Sequence, residues 1–302
     1  MRWVAGLLLL VGCQMPQQQR PDPQALERDL QALTADFAGD VGIYLRTLDG
    51  ACEVALRADE VFPTASLIKV PIALGLLQRV QSGELDWKAP VPYDPKYGRG
   101  GDDLVAKLTP GAKVEPNKLL FLMESLSDNT ASVWCEDLAG GGATINAWME
   151  AHGYRVTRVN SRVAGRESDY KQYGWGQTTP REMAEMLVAI RERRAVSPAA
   201  DEHLDRMLGR AYWDGEALSS VPSDVHVISK QGAVNASRSE VLLVSAPHGS
   251  YVLCVITKNQ VDQSWDDSNA GFRLLRAASA IVWQHMEPER PYAAALAGPR
   301  WP

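Results

Sequence analysis

Period-two alternation of apolar and polar residues occupies only two regions of this 302-residue chain. The first runs from Val41 to Thr47 and returns through Cys52 to Leu56 after a Leu48-Asp49-Gly50 turn. The second comprises Val225 to Ser229, Glu240 to Ser245 and Tyr251 to Thr257. The long middle has helical spacing instead. Strands segregated to the two ends, with helices between them, predict an α+β fold: one antiparallel sheet built from both chain ends and flanked by helices, plus an all-helical lobe from the middle. A cleft between sheet and lobe is then the expected place for a site.

Helices are expected over Ala25 to Phe37, from Ser66 to a glycine stop at Ser82-Gly83, and over Asn117 to Glu124, Asn129 to Leu138 and Ala143 to His152. Thr179-Pro180-Arg181-Glu182 reads as a helix start, with threonine as N-cap and glutamate closing a capping box. Ala199 to Leu208 and Ala270 to His285 complete the set. Glu84 to Lys113 reads as loop. Asn160 to Gln177 is a long irregular connection of the kind that is often functional.

The net charge of −6 and pI near 5.5 give no electrostatic footprint for nucleic acid or an anionic membrane surface. The N-terminus points to export. Val4 to Val11 is an apolar run too short to span a bilayer, and it ends at Leu10-Val11-Gly12-Cys13, which resembles a lipoprotein signal with its lipobox. Residues 1–12 are thus expected as an export signal, with a plain secretory signal as the alternative. Residues 13–24 are expected as lipidated Cys13 plus a Gln- and Pro-rich tether, 25–286 as the folded domain and 287–302 as a tail. The predicted location is the periplasm or cell surface, with the membrane reached through the lipid alone and the protein a monomer.

Cys52, Cys135 and Cys254 remain, an odd number; Cys52 and Cys254 are the pair to test for a bridge, and free buried thiols are the alternative. The five histidines show no H-x-x-x-H spacing, and C-x-x-C does not occur, which disfavours a zinc hydrolase.

Ser66-Leu67-Ile68-Lys69 opens the first long apolar helix. A lysine three positions after a serine returns beside its hydroxyl and can hold its proton, making the serine a nucleophile. Ser168 to Lys171 has the same spacing but no apolar helix after it. Ser127-Asp128-Asn129 offers a second hydroxyl for proton relay and an amide for a substrate amide. Lys230-Gln231-Gly232 closes a strand with a cation and a residue that lets substrate backbone lie close. Singly, each box is better explained by helix capping or by an edge-strand lysine.

In this order, S-x-x-K, S-D-N and K-x-G resemble the class A β-lactamases and related penicillin-interacting serine hydrolases, over about Val41 to His285. The resemblance implies a cofactor-free acyl-enzyme mechanism on a β-lactam or a peptidoglycan-derived peptide. Ser66 would be acylated, Lys69 would activate it and Ser127 would pass the proton to the departing nitrogen. Asn129 would hold the substrate side-chain amide, with Lys230 and Arg238 attracting its carboxylate. Gly232 would admit the substrate, and the backbone N–H groups of Ser66 and Ala233 would form the oxyanion hole.

Three features depart from that family; one is the aspartate that usually pairs with the loop arginine, missing where Gly176-Gln177 precedes Thr178. The family's loop glutamate, the deacylation base, would fall on Val163 or Ala164, with Glu167 displaced nearby and Glu167 or Asp169 as the substitute. Gln231 also stands where a small hydroxyl residue is usual. Slow deacylation is the expected consequence. A cell-wall peptidase or esterase, or a non-turnover β-lactam- or peptidoglycan-binding protein, are the alternatives.

Overall fold

A computed structural model describes residues 21–293. The apolar N-terminal run, Cys13 and the end of the tail lie outside the described residues. Five antiparallel strands form the main sheet: β1 (Asp40–Thr47), β2 (Glu53–Leu56), β3 (Val227–Val234), β4 (Ser237–Val244) and β5 (Tyr251–Lys258). Their order is β2-β1-β5-β4-β3. The two ends of the chain meet where β1 pairs with β5, from Asp40 opposite Lys258 to Thr47 opposite Tyr251.

Helices α1 (Pro23–Thr34) and α9 (Ala270–Met286) cover one face of the sheet. There Leu26, Leu30, Leu275 and Trp283 pack against Ile43, Leu45, Leu253 and Val255. Each such side chain contributes about 1.5–3 kcal/mol through burial. The other face carries Ile228, Val241, Leu243, Val252 and Ile256 into a second core. That core is shared with α2 (Lys69–Gln81), α3 (Pro116–Ser125), α4 (Asn129–Leu138), α5 (Gly141–Ala151), α7 (Pro180–Arg191) and α8 (Pro198–Leu208). A short exposed helix, α6 (Glu167–Tyr173), lies in the connection expected to be irregular.

The α+β architecture is as expected. Cys52 and Cys254 are both free and sit in the cores on opposite faces of the sheet, so the bridge does not form. Strand β3 does not end at Ser229 but runs on through Lys230, Gln231 and Gly232, all of which pair with β4. Thr179 caps α7 as expected, accepting from the Glu182 N–H at 3.1 Å. Glu182 does not close the box: its carboxylate instead grips the backbone N–H groups of Arg155, Val156 and Thr157. The residues between α5 and α6 are thereby tied to the helix that supports the sheet.

Candidate active site

Ser66 stands in a 3-10 turn, Ala65–Ile68, that feeds directly into α2 at Lys69. A continuous α-helix was the expectation. The tighter turn matters, because side chains three apart eclipse in 3-10 geometry and so bring Lys69 onto Ser66. Two non-glycine residues here take positive φ, Ala65 at 46° and Ser127 at 58°. Such conformations cost about 1–3 kcal/mol each and persist where packing over-determines them. One precedes the candidate nucleophile and the other is the candidate relay.

The Lys69 amine is wholly buried, with Nζ 3.1 Å from Ser66 Oγ, 3.0 Å from Ser127 Oγ, 2.5 Å from the Ser127 carbonyl and 2.9 Å from Asn129 Oδ1. The last two atoms can only accept. A neutral amine has two N–H donors and one lone pair, so donating to both leaves the lone pair for the Ser66 hydroxyl. Burial, and then the charge of Lys230, hold the Lys69 amine well below its ordinary pKa. An amine so placed, and with its pKa so lowered, can accept a proton from the Ser66 hydroxyl.

Lys230 Nζ donates to Ser127 Oγ at 3.0 Å and to the Gln231 carbonyl at 3.0 Å. Burial lowers its pKa as well. It is 2% exposed and stands behind Ser127, so its charge reaches the cleft through that hydroxyl. The S-D-N box is braced from beneath. Asp103 accepts from the N–H groups of Asn129 (3.0 Å) and Thr130 (2.8 Å), while Asp128 caps α4 through Ala131 N and holds Val105 N. Asp128 is thus a structural member of its box, and Asn129 is presented at the surface.

Gly232 packs directly against the nucleophile turn: a Cβ there would lie 2.8 Å from Ser66 N and 3.0 Å from the Thr64 carbonyl. This contact draws the edge strand β3 up to Ser66. A cleft of about 510 Å³ opens above it, walled by Ser66, Asn129, Tyr173, Trp175, Ala233 and Ser237. Ser66 and Ala233 face this one space, as an oxyanion hole made from their backbone N–H groups requires.

Two expected residues are elsewhere. Arg238 sits on the α9 side of β4, where its guanidinium stacks on Trp265 and Phe272 and donates to the carbonyls of Val234, Ser237 and Ser264. Adjacent residues point to opposite faces of a strand, so Ser237 and Ser239 take the cleft side and Arg238 cannot. It is a buried staple for the β3–β4 turn and not a carboxylate anchor. Glu167 is exposed, accepts from Gly165 N at 3.1 Å, and borders a separate groove beside Arg162 and Tyr170. It does not line the Ser66 cleft. Asp169 is held by Arg166 at 3.0 Å. Among the described residues no carboxylate lines that cleft.

Spacing did not single out Ser237, Trp175 or Glu124. Ser237 is buried, with a hydroxyl lacking any partner at the cleft wall, and it supplies a hydroxyl on β4 where Gln231 on β3 offers none. Its position opposite Val234 could be read only once the β3–β4 register was known.

A buried lysine between two serine hydroxyls, one of them on a turn beside an edge strand, is an arrangement that can activate a serine as a nucleophile. The family model described as the beta-lactamase enzyme family matches residues 25–286, and the chain belongs to that family. Solved structures agree on the fold. A beta-lactamase from Sphaerobacter thermophilus is 22% identical, with a TM-score of 0.77 over 89% of this chain and 100% of that one. A class A beta-lactamase from Bacteroides cellulosilyticus is 18% identical, with a TM-score of 0.76 over 89% and 99%. A mutant of PBP-A in acyl-enzyme complex with penicillin G is 23% identical, with a TM-score of 0.78 over 91% and 100%. The family rests on the matching model, and the solved structures add the fold.

Proposed function

We propose that the protein forms an acyl-enzyme on Ser66 with β-lactams or peptidoglycan-type peptides and releases the acyl group slowly. The observation that carries this reading is the Lys69 amine, buried within 3.1 Å of Ser66 Oγ and 3.0 Å of Ser127 Oγ. Lys69 takes the Ser66 proton as Oγ attacks the carbonyl carbon. The oxyanion is met by the N–H groups of Ser66 and Ala233. Lys69 then passes a proton to Ser127, which delivers it to the departing nitrogen as the C–N bond breaks. Lys230 stabilises the charge developing at Ser127 and attracts a substrate carboxylate, with Ser237 as a second donor.

Deacylation needs a water with its own base, and no carboxylate lines the cleft among the described residues. Loss of a positioned general base costs about 10²–10⁴-fold. This supports slow turnover, or a penicillin-binding protein that keeps its acyl group, as in the complex described for the PBP-A mutant. The apolar run before Cys13 supports export and lipid anchoring of a monomer whose partners are small molecules or wall peptides.

Intact-mass spectrometry of the mature protein with benzylpenicillin, sampled from seconds to hours beside Ser66→Ala, tests the proposal. A penicilloyl adduct that persists on wild type and is missing from Ser66→Ala is the expected result. An adduct that clears within seconds would exclude slow deacylation. No Ser66-dependent adduct would exclude the β-lactam reading altogether.

A further inference from the structure

Glu124 is a buried acid that this scheme does not use. It lies on α3, three residues before Ser127, and is 2% exposed. Neither of its carboxylate oxygens has a hydrogen-bond partner. It borders a small recess that Lys230 also lines, together with Ser125, Trp213 and Ser229. A carboxylate taken out of water without hydrogen bonds is costly unless nearby charge compensates it.

That charge is close at hand. Lys230 and Lys69 are the charged groups acting on Glu124, and the buried Cys135 thiol of α4 is a further titratable neighbour. Lys69 in turn faces Lys230, Glu124, Asp103 and Asp128. Lys230 faces Glu124 and, more distantly, Glu240 and Glu216. Asp103 and Asp128 are already committed to backbone N–H groups. Of the acids facing Lys69, Glu124 alone has its charge uncommitted.

We infer that Glu124 is a positioning residue for the protons of the site: its carboxylate holds Lys230 as the ammonium ion, and that ammonium keeps Lys69 as the free amine. The inference rests on the acyl-transfer reading of Ser66. The Glu124–Lys230 pair carries no net charge and exchanges no proton during the cycle. One proton moves from Ser66 to Lys69, and one from Ser127 to the leaving nitrogen as Lys69 reprotonates Ser127. Burial pushes Lys230 towards neutrality and the Glu124 carboxyl towards protonation; each opposes the other's shift.

Glu124→Gln keeps the shape and removes the charge. In protein labelled with ¹³C at the lysine carbon next to Nζ, the Lys230 resonance, assigned by its loss in Lys230→Met, should titrate at a pH lower by about one unit or more in Glu124→Gln. This readout needs no substrate, so it stands or falls separately from the acylation reading. In wild type, the pH profile of benzylpenicillin acylation should show an alkaline limb set by Lys230. In Glu124→Gln that limb should move to lower pH, with KM rising as Lys230 loses its charge, and Glu124→Asp should restore part of the shift. An unmoved Lys230 titration, or a loss of acylation that is uniform across pH, would overturn the inference. If Glu124→Gln does not fold, ¹³C-glutamate labelling of wild type decides: a Glu124 carboxyl protonated throughout the working pH range overturns it, and an ionised one supports it. A shifted Lys230 titration in a protein that never acylates would sink only the acyl-transfer reading.

Discussion

Gly232 and the Ser66 backbone nitrogen are in direct contact: a Cβ at residue 232 would sit 2.8 Å from that nitrogen, closer than real Cβ contacts come. The edge of the sheet and the turn carrying the nucleophile are therefore fitted to one another, and both candidate oxyanion donors depend on the fit. Gly232→Ala must push β3 away from Ser66 or rotate the turn. The expected outcome is a fall in acylation rate of about 10²–10³-fold, the cost of one misaligned oxyanion donor. Global folding should be largely kept, because the sheet core lies further along the strand. Stopped-flow acylation and a thermal melt of the same sample check this; wild-type acylation would sink the fit.

Burying the Lys69 amine sets activity against stability. Its pKa is lowered in the folded protein, so below the unfolded value of about 10.4 the unfolded chain binds the extra proton. Stability from this group is then least at low pH and rises as pH climbs from the folded pKa towards the unfolded one. Lys69→Met removes that dependence. The difference in unfolding free energy between variant and wild type should thus change with pH by up to about 1.4 kcal/mol per pH unit across that window. Acylation should be lost at every pH. Urea melts at a series of pH values check this, and parallel curves would mean that Lys69 is charged in the fold.

Sequence pattern reached the sheet and the Ser66, Ser127 and Lys230 boxes because each rests on local spacing. Lys69 follows Ser66 by one eclipsed turn, and the Asp128 cap fixes where α4 begins. What pattern could not supply was long-range register. Arg238 follows the third box closely and looks like an anchor, but a two-residue turn between β3 and β4 places it opposite Ala233 and on the α9 face. Glu124 was hidden differently: its burial follows from the packing of α3 against α4, α8 and α2, which local spacing does not show. Residues 160–177 carry no strong periodicity, and their path is set by side-chain clamps such as Arg166 on Asn160 and Gln177.

Those clamps bear on turnover. Glu167 is exposed and outside the cleft, so Glu167→Gln should leave the deacylation rate within about twofold of wild type, as expected of a surface substitution away from the chemistry. Arg166→Ala should behave differently. Its guanidinium holds Asn160 Oδ1 at 2.7 Å and Gln177 Oε1 at 2.8 Å, and Gln177 is the middle residue of the short strand Gly176–Thr178, whose Gly176 carbonyl accepts from Thr64 N at 3.0 Å. Loosening that path reaches the Ser66 turn. Adduct decay followed by mass spectrometry separates the two cases, and a large effect of Glu167→Gln would restore it as the base.

Arg238 gives the sharpest contrast between an anchor and a staple. Its side chain is wholly buried, lies 4.6 Å from the Trp265 ring centre and 4.5 Å from that of Phe272, and spends its donors on backbone carbonyls of the β3–β4 turn and of Ser264. An anchor variant would weaken binding of carboxylate-bearing substrates and leave the fold alone. A staple variant leaves the buried Ser237 carbonyl without this donor, at a cost of about 1–3 kcal/mol, releases the part-buried carbonyls of Val234 and Ser264, and frees the two aromatic rings. Arg238→Gln should therefore lower the unfolding midpoint substantially while leaving the KM ratio between a carboxylate substrate and its methyl ester unchanged at a temperature where the variant is folded. Lys230→Gln provides the reference, because its loss should collapse that ratio. A selective loss of carboxylate preference in Arg238→Gln, with stability intact, would place its guanidinium in the cleft after all.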